Sequence, residues 1–271
     1  MSSEPGVSAR ASPLNCVAAH PSEMSTKAST ITIAGGTCWA ATLGDCSGPI
    51  TGEHLVTDAL FGRRVRIEGE KAPWLLGPEV EIPIRRLKAN ILCEGHNSQL
   101  GRTADASARV LLRALRLAVA PMELPGSRIL RPPVERRIPG VWFGRWLCKT
   151  HCNLMVAAGL TPAPEYVRYA FGKHPGRHIF IYCSGLLGDT IRLGEATSTA
   201  IHYQQLVSDD DPTYDGFQIT LGGFPSLVSL EPVHRNNQPL IDRLLVFQQS
   251  TPLGFYRITF DWTGEPTQTE G

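Results

Sequence analysis

From residue 178 to residue 262, apolar and polar residues alternate with a period of two. Because successive side chains of a β-strand point to opposite faces of a sheet, this alternation predicts half-buried strands. Asp, Pro and Gly residues separate the alternating segments, as turns require. The six segments are HIFIYC (178–183), AIHYQQLV (200–207), GFQITL (216–221), SLVSL (226–230), RLLVFQQ (243–249) and FYRITFDW (255–262). Since no helical pattern lies between them, they predict an antiparallel β-rich region over 177–263, followed by a flexible tail at 264–271.

Helical spacing replaces this alternation in the middle of the chain. From 107 to 119 the apolar residues recur every three or four positions, and three arginines share another face. This segment either extends a helix that begins before Gly101 or forms a separate helix after it. Further helices are predicted over 141–158, where Gly159 ends the pattern, and over 165–171. In the first segment the apolar residues are Ala108, Leu111, Leu112, Leu115 and Val119, and the arginines are Arg109, Arg113 and Arg116.

The two later helices belong to a predicted helical connector over 121–176. Its linker is marked by five prolines, which are Pro121, Pro125, Pro132, Pro133 and Pro139. Cys148, His151 and Cys152 share one face of the first helix in this connector. Three such residues could hold a metal ion, but no fourth ligand lies nearby in the sequence. We therefore interpret Cys148 and Cys152 as small core residues.

The N-terminal segment differs from the rest in composition. Residues 1–30 are rich in Ser, Ala and Pro and predict a disordered arm, and ITIA (31–34) begins the ordered part. The whole chain is 42% hydrophobic and 19% charged, which predicts a buried core. It contains no apolar run of 18 residues, and its N-terminus lacks a basic-then-apolar signal pattern. We therefore expect a cytoplasmic protein with no membrane segment, and the sequence leaves its oligomeric state open.

Four metal-capable residues occur in two pairs, Cys38 with Cys46 and Cys93 with His96. Zn²⁺ takes four N or S ligands in a closed tetrahedral site, and three thiolates with one imidazole satisfy that chemistry. Seven cysteines in a reducing compartment also favour thiols and metal ligands over disulfides. The alternative is four unrelated residues in an ordinary core, because free Cys is among the most buried residue types.

A Glu-His dipeptide, Glu53 and His54, lies between the two pairs, and Asn97 follows the second pair. The order Cys..Cys, Glu-His, Cys-x-x-His-Asn resembles the HNH endonuclease superfamily in its zinc-stapled ββα (treble-clef) form, over roughly residues 36–104. The resemblance implies that His54 is the general base and Glu53 its acidic neighbour, and that Asn97 helps to hold a catalytic divalent ion. It further implies a structural Zn²⁺ on the two pairs, and it defines a predicted HNH-like zinc-binding module over 31–120.

The chain departs from that family pattern at three positions. His96 stands where most members have a fourth Cys, and Asn97 replaces the more usual metal-binding His. The middle Asn of the family lies four or five residues before the third Cys, whereas Asn90 lies three residues before Cys93. Because a one-residue slip on a strand reverses the face of a side chain, the sequence leaves open whether Asn90 faces His54.

Phosphodiester cleavage explains why these residue types are needed. The reaction requires a base for the attacking water and a cation for the charge that develops on the phosphate. A neutral imidazole with an unperturbed pKa of about 6.5 is a usable base at neutral pH. The Glu53 carboxylate and the Asn97 amide oxygen are hard ligands suited to Mg²⁺ or Mn²⁺, whereas thiolates suit Zn²⁺. For a lone Glu-His pair, the alternative is a histidine whose side chain is hydrogen-bonded to backbone.

The net charge of +1 hides a strong asymmetry along the chain. Residues 63–149 carry 17 Lys and Arg against 8 Asp and Glu, whereas the segments before and after them are net acidic. Such a local basic excess is the electrostatic footprint of phosphate binding, and it predicts a nucleic-acid partner. The alternative is a solvated helix face with scattered surface arginines.

These observations predict an α+β protein, in which a zinc-stabilised ββα (treble-clef, HNH-like) module precedes helices and a C-terminal antiparallel β-rich region. The leading functional expectation is a metal-dependent nuclease, a hydrolase acting on DNA with His54 as general base. The rival expectation is a non-catalytic, zinc-stabilised nucleic-acid- or protein-binding module. A third possibility, a structural protein without metal, predicts that Cys38 and Cys46 lie far from Cys93 and His96.

Overall fold

The computed structural model of the protein is a mixed α+β fold. It describes residues 14–17, 36–57, 60, 64–68, 79–119, 134–183, 201–206, 216–221, 224–235, 238–239, 242–243, 246–251 and 254–263. The helices are α1 (Glu94–Val119), α2 (Gly140–Ala157) and α3 (Pro164–Ala170). The strands are β1 (Leu14–Val17), β2 (Ile50–His54), β3 (Arg64–Glu68), β4 (Glu79–Pro83), β5 (Lys88–Cys93), β6 (Val134–Pro139), β7 (Phe180–Cys183), β8 (Ile201–Leu206), β9 (Gly216–Leu221), β10 (Phe224–Ser229), β11 (His234–Arg235), β12 (Gln238–Pro239), β13 (Val246–Thr251) and β14 (Gly254–Asp261).

An antiparallel hairpin of β2 and β5 leads directly into α1. Thr51 lies opposite Leu92, but the next residue, Gly52, lies opposite Asn90. Ile91 is therefore an extra residue on β5, which makes a β-bulge. Because α1 begins at the residue after β5, the end of the hairpin and the first helical turn are held close together.

Helix α1 is continuous over 26 residues, so the segment predicted at 107–119 extends the helix that follows the hairpin. Ala108, Leu111 and Leu112 are buried, whereas Arg109 and Arg113 are exposed, as the spacing predicts. The side chains of Leu115, Arg116 and Val119 lie outside the described part of the helix. Among the described residues, no helix is both long and apolar enough to cross a membrane.

Seven strands form the larger sheet, in the order β4-β3-β1-β8-β9-β10-β7, and all its neighbours are antiparallel. Four of the predicted C-terminal strands become β7 to β10. Three others come from the N-terminal half. Residues 14–17, inside the predicted disordered arm, form β1 between β3 and β8. Its pairing partners come from distant segments, so the local Ser-, Ala- and Pro-rich composition does not reveal this strand.

A smaller sheet has the order β13-β14-β6. The hairpin of β13 and β14 is antiparallel, as the alternation predicts, but β6 joins β14 in parallel. The segment 134–139 was predicted as part of a linker, because prolines precede it and Pro139 ends it. The segment forms a strand despite Pro139 because β6 lies at the edge of the sheet. A proline, which has no N–H, is tolerated there because it does not interrupt the hydrogen bonds between strands. The DDDP segment (209–212) lies outside the described residues.

Helix α2 lies in the centre of the fold. Most of its side chains are buried, and it contacts α1, α3, β5, β6 and β14. Cys148, His151 and Cys152 are fully buried. The His151 ring stacks on Phe217 with ring centroids 4.1 Å apart, which confirms the core interpretation of this face. Gly159 follows the helix with φ +76, the left-handed conformation expected at its end.

Candidate metal centre

The hairpin, the first turn of α1 and the segment before β2 meet around Cys93 and His96. Cys93 is the last residue of β5, and His96 lies in the first turn of α1. The segment that carries Cys38 is fixed to β5 by two backbone hydrogen bonds. The Gly36 N–H donates to the Asn90 carbonyl at 2.7 Å, and the Trp39 N–H donates to the Ile91 carbonyl at 3.0 Å.

The Cys46 segment approaches the start of α1 closely at two glycines. The Gly95 N–H donates to the Ser47 carbonyl at 3.1 Å. A Cβ on Gly95 would lie 2.2 Å from the Ser47 hydroxyl oxygen. Gly48 has φ +72, and a Cβ there would lie 2.7 Å from a Glu94 carboxylate oxygen. These close approaches bring Cys46 to the helix start.

The four predicted metal-ligand side chains come together in this cluster. Their ligand atoms all lie within 4.8 Å of one another. His96 Nδ1 is 3.3 Å from Cys38 Sγ, 3.8 Å from Cys46 Sγ and 3.2 Å from Cys93 Sγ. Ligand atoms around a tetrahedral Zn²⁺ are roughly 3.5–3.8 Å apart, given the usual bond lengths to sulfur and nitrogen. The geometry therefore disagrees with the possibility that Cys38 and Cys46 lie far from Cys93 and His96.

The thiols influence one another's protonation. Burial alone would raise the pKa of Cys93, but backbone hydrogen bonds from His96 and Ser47 and the thiols of Cys38 and Cys46 lower it to about 6. Desolvation of its sulfur, followed by the proximity of Cys38 and Cys93, raises the pKa of Cys46 to about 12. Three adjacent sulfurs cannot all ionise cheaply without a cation between them. A divalent ion would remove that conflict, so the Cys₃His cluster could hold a structural metal such as zinc.

A carboxylate outside the cluster orients its imidazole. His96 Nε2 lies 2.8 Å from Asp45 Oδ1, and Lys173 Nζ lies 2.7 Å from Asp45 Oδ2. Hydrogen bonds from Lys173 and then from His96 lower the pKa of Asp45, so it is ionised at neutral pH. With Nε2–H donating to Asp45, His96 presents Nδ1 to the three sulfurs as a neutral ligand. The Phe171 ring packs edge-on against the imidazole, with ring centroids 4.7 Å apart.

His54 is half-buried at the end of β2, opposite Lys88. Gly52 lies opposite Asn90, and a Cβ on Gly52 would lie 3.6 Å from Asn90 Oδ1. Because residues two apart on a strand share a face, His54 and Asn90 lie on the same, largely exposed face of the hairpin. The β-bulge at Ile91 produces this arrangement, which the spacing alone left open.

Asn97 lies near the other end of β2. Its Nδ2 donates to Thr51 Oγ1 at 2.9 Å, and Thr51 Oγ1 donates to the Leu92 carbonyl at 3.3 Å. Thr51 precedes His54 by three residues, which is about 10 Å along a strand. The Asn97 amide is thus held beside the start of the strand, and His54 lies at its end.

Glu53 points into the protein. It is 5% exposed, and its Oε1 lies 2.7 Å from Lys149 Nζ. Lys149 also lies 2.9 Å from Asp105 Oδ1. Burial alone would lower the pKa of Lys149, but Glu53 and Asp105 raise it, so the ammonium is retained. The carboxylate that the resemblance assigns to the active site is thus paired with a buried cation.

Sequence reasoning did not find the α2 residues that contact this region, chiefly Lys149 and Asn153. Asn153 Nδ2 donates to the His54 carbonyl at 3.0 Å. The available signal was a lysine and an asparagine inside the apolar helix GVWFGRWLCKTHCNLMVA. Charged and amide side chains are seldom fully buried unless paired, so their presence there indicated a buried polar network.

The comparisons with family models, curated proteins and solved structures found no match to this chain. The resemblance to the HNH superfamily therefore rests on the residues of the sequence. The structure itself shows a possible Cys₃His metal site beside a β-hairpin and a helix.

We expect Asp45→Asn to weaken metal binding by about 10- to 100-fold, because losing the carboxylate removes the charge that makes His96 a stronger ligand. The measurement is a competition titration of Zn²⁺ against a chromophoric chelator. Asp261→Asn is the matched control, since Asp261 is another carboxylate with a lowered pKa, bonded to Thr263. Equal zinc affinity in the two variants would show that Asp45 does not support the site.

Proposed function

We propose that this protein is a metal-dependent endonuclease that acts on DNA, with His54 as the general base. The observation that carries the proposal is the position of His54 at the end of β2, on the largely exposed face of a hairpin that runs straight into α1. The Cys₃His cluster lies at the junction of hairpin and helix, where a structural Zn²⁺ would hold the two together.

In this proposal the His54 imidazole takes a proton from the attacking water. A Mg²⁺ or Mn²⁺ ion, when bound, would neutralise the charge that develops on the phosphate and the leaving oxygen. The resemblance assigns the Asn97 amide oxygen to the ion, but Asn97 Nδ2 donates to Thr51, at the other end of β2 from His54. Because Asn90 lies on the same face as His54, its amide oxygen is the ion ligand that we propose beside the base. Because Glu53 is paired with Lys149, we assign it to the support of the strand instead of the ion.

His54→Ala is expected to lower Mg²⁺- or Mn²⁺-dependent nicking of plasmid DNA by about 10²–10⁴-fold, the usual contribution of a general base. Zinc content and thermal stability should stay close to those of the wild type, since His54 is half-buried and outside the Cys₃His cluster. His174→Ala is the control, because His174 is an exposed histidine whose Nδ1 accepts a hydrogen bond from the Gly176 N–H. Undiminished nicking by His54→Ala would remove the general-base assignment.

The second candidate is a non-catalytic, zinc-stabilised platform that binds nucleic acid or protein. The burial of Glu53 against Lys149 favours this candidate. In the HNH superfamily an acidic residue stands beside the general base, and here that carboxylate is paired with a buried lysine. Wild-type protein that binds DNA but does not nick it with Mg²⁺ or Mn²⁺ would support this candidate over the nuclease.

DNA binding is expected to depend on the exposed arginines of α1. Each phosphate neutralised contributes about −0.9 to the slope of log affinity against log salt concentration on duplex DNA. Arg109→Ala with Arg113→Ala should therefore weaken binding to all sequences alike and flatten the slope by up to about 1.8. Arg257→Ala, an exposed arginine on β14, is the control. Titrations at several salt concentrations that superimpose for wild type and double variant would show that this face is merely solvated.

A further inference from the structure

One face of α2 carries polar side chains toward the segment that contains His54. Trp146, Lys149 and Asn153 occupy positions i, i+3 and i+7, which lie along one side of a helix. Their exposed fractions are 0%, 2% and 0%. Burying an ammonium and an amide costs free energy unless each is paired, so their partners determine what this face does.

Asn153 connects two separate parts of the candidate site. Its Nδ2 donates to the His54 carbonyl at 3.0 Å, and its Oδ1 accepts a hydrogen bond from Trp39 Nε1 at 3.0 Å. One buried amide thereby links the main chain at His54 to the segment that carries Cys38.

Lys149 and Trp146 fix the chain on either side of His54. Lys149 pairs with Glu53, the residue before His54, and with Asp105 of α1. Thr57, three residues after His54, donates to Asp105 Oδ1 at 2.6 Å and accepts from Trp146 Nε1 at 2.9 Å. The segment 53–57 is therefore held to α1 and α2 at its start, at His54 itself and at its end.

We propose that Asn153 and Lys149 are positioning residues for His54, so that the catalytic unit includes α2 and does not end with the hairpin and α1. This inference rests on the proposed nuclease function. Its physical basis is that a reacting group displaced by about 1 Å can lose about 10²-fold in rate. The side chains of α2 act from the buried side of the hairpin, whereas Lys88 and Asn90, on the face that carries His54, are exposed.

The test compares the wild type with Asn153→Leu, which keeps the branched shape of the side chain but removes both hydrogen bonds. We expect kcat for nicking to fall by about 10- to 100-fold, while KM for DNA and the zinc content stay the same. An NMR titration of the His54 Cε1–H distinguishes a positioning role from a general loss of stability. Its chemical shift and its titration midpoint should both change in the variant. If Asn153→Leu does not fold, Asn153→Ser, which is too short to reach the His54 carbonyl, replaces it.

Tyr203→Phe is the matched control. It removes the hydroxyl that lies 2.9 Å from His151 Nδ1, a buried hydrogen bond to the other side of the same helix. This variant should lose stability but keep the wild-type His54 titration and kcat. An unchanged His54 titration in folded Asn153→Leu would overturn the positioning role. Wild-type protein that nicks no DNA would instead overturn the nuclease function, and the NMR comparison would still decide whether α2 positions His54.

Discussion

Cys93→Ala should abolish metal binding and unfold the segment formed by the hairpin and α1. Cys93 is 2% exposed and lies at the junction of β5 and α1, so its replacement removes one of the four possible metal ligands, at the point where the strand leads into the helix. Structural Zn²⁺ contributes about 10–16 kcal/mol of apparent binding free energy in small zinc domains, and much of that is folding free energy. We therefore expect the variant to lose more stability than an ordinary core substitution. The measurements are metal content after purification without chelators and thermal unfolding by circular dichroism.

Cys183→Ala controls for the loss of a buried sulfur. Cys183 is fully buried on β7, and its thiol contacts the Ser226 hydroxyl instead of the Cys₃His cluster. This variant should keep its metal and lose only about 1–2 kcal/mol, as a typical core truncation does. Chelator treatment of the wild type should reproduce the unfolding of Cys93→Ala. Protein that is isolated without metal, or a Cys93→Ala variant as stable as Cys183→Ala, would contradict the assignment.

Lys149→Met should destabilise the protein by about 3–5 kcal/mol at pH 7, because it leaves two buried carboxylates without their cation. The Lys149 ammonium lies 2.7 Å from Glu53 Oε1 and 2.9 Å from Asp105 Oδ1, and methionine retains its length without the charge. Urea unfolding at fixed pH gives the free energy of unfolding of each protein. Lys88→Met is the control, because Lys88 is exposed and its replacement should change that free energy by no more than about 0.5 kcal/mol.

The decrease in the free energy of unfolding of Lys149→Met should depend on pH in a defined direction. Burial already raises the pKa of Glu53, and the Lys149 cation is the strongest influence that opposes it, so removing Lys149 should raise that pKa further above its unfolded value. The folded variant would then bind more protons than the unfolded chain, and its stability should fall as pH rises through the carboxyl range. Adding Glu53→Gln and Asp105→Asn should recover part of the loss, because no buried charge then remains unpaired. A pH-independent deficit, or no deficit, would show that these groups do not form the buried triad.

The sequence by itself determined those features that depend on local side-chain pattern. Period-two alternation predicted strands that correspond to β7 to β10, β13 and β14, and helical spacing with Gly159 at its end predicted α2. Such patterns are readable because each element buries one side, whichever partner covers it. The Cys38–Cys46 pair and the Cys93–His96 pair likewise predicted the cluster. Three thiolates and one imidazole are the donor set that a tetrahedral zinc site uses, so the residue types alone suggested that the four side chains meet.

Tertiary structure alone decided which distant segments became partners. The pairing of β1 with β3 and β8, and of β6 with β14, joins parts of the chain whose local composition predicted an arm and a linker. Glu53 pairs with Lys149, which lies 96 residues later in the chain. The sequence had predicted an active-site role for Glu53 instead, because His54 follows it. The periodicity of apolar residues indicates whether a position is buried. It does not indicate which charged side chain or which strand will lie opposite that position. That choice is made when α2 packs into the core, because each buried polar group must then find a partner.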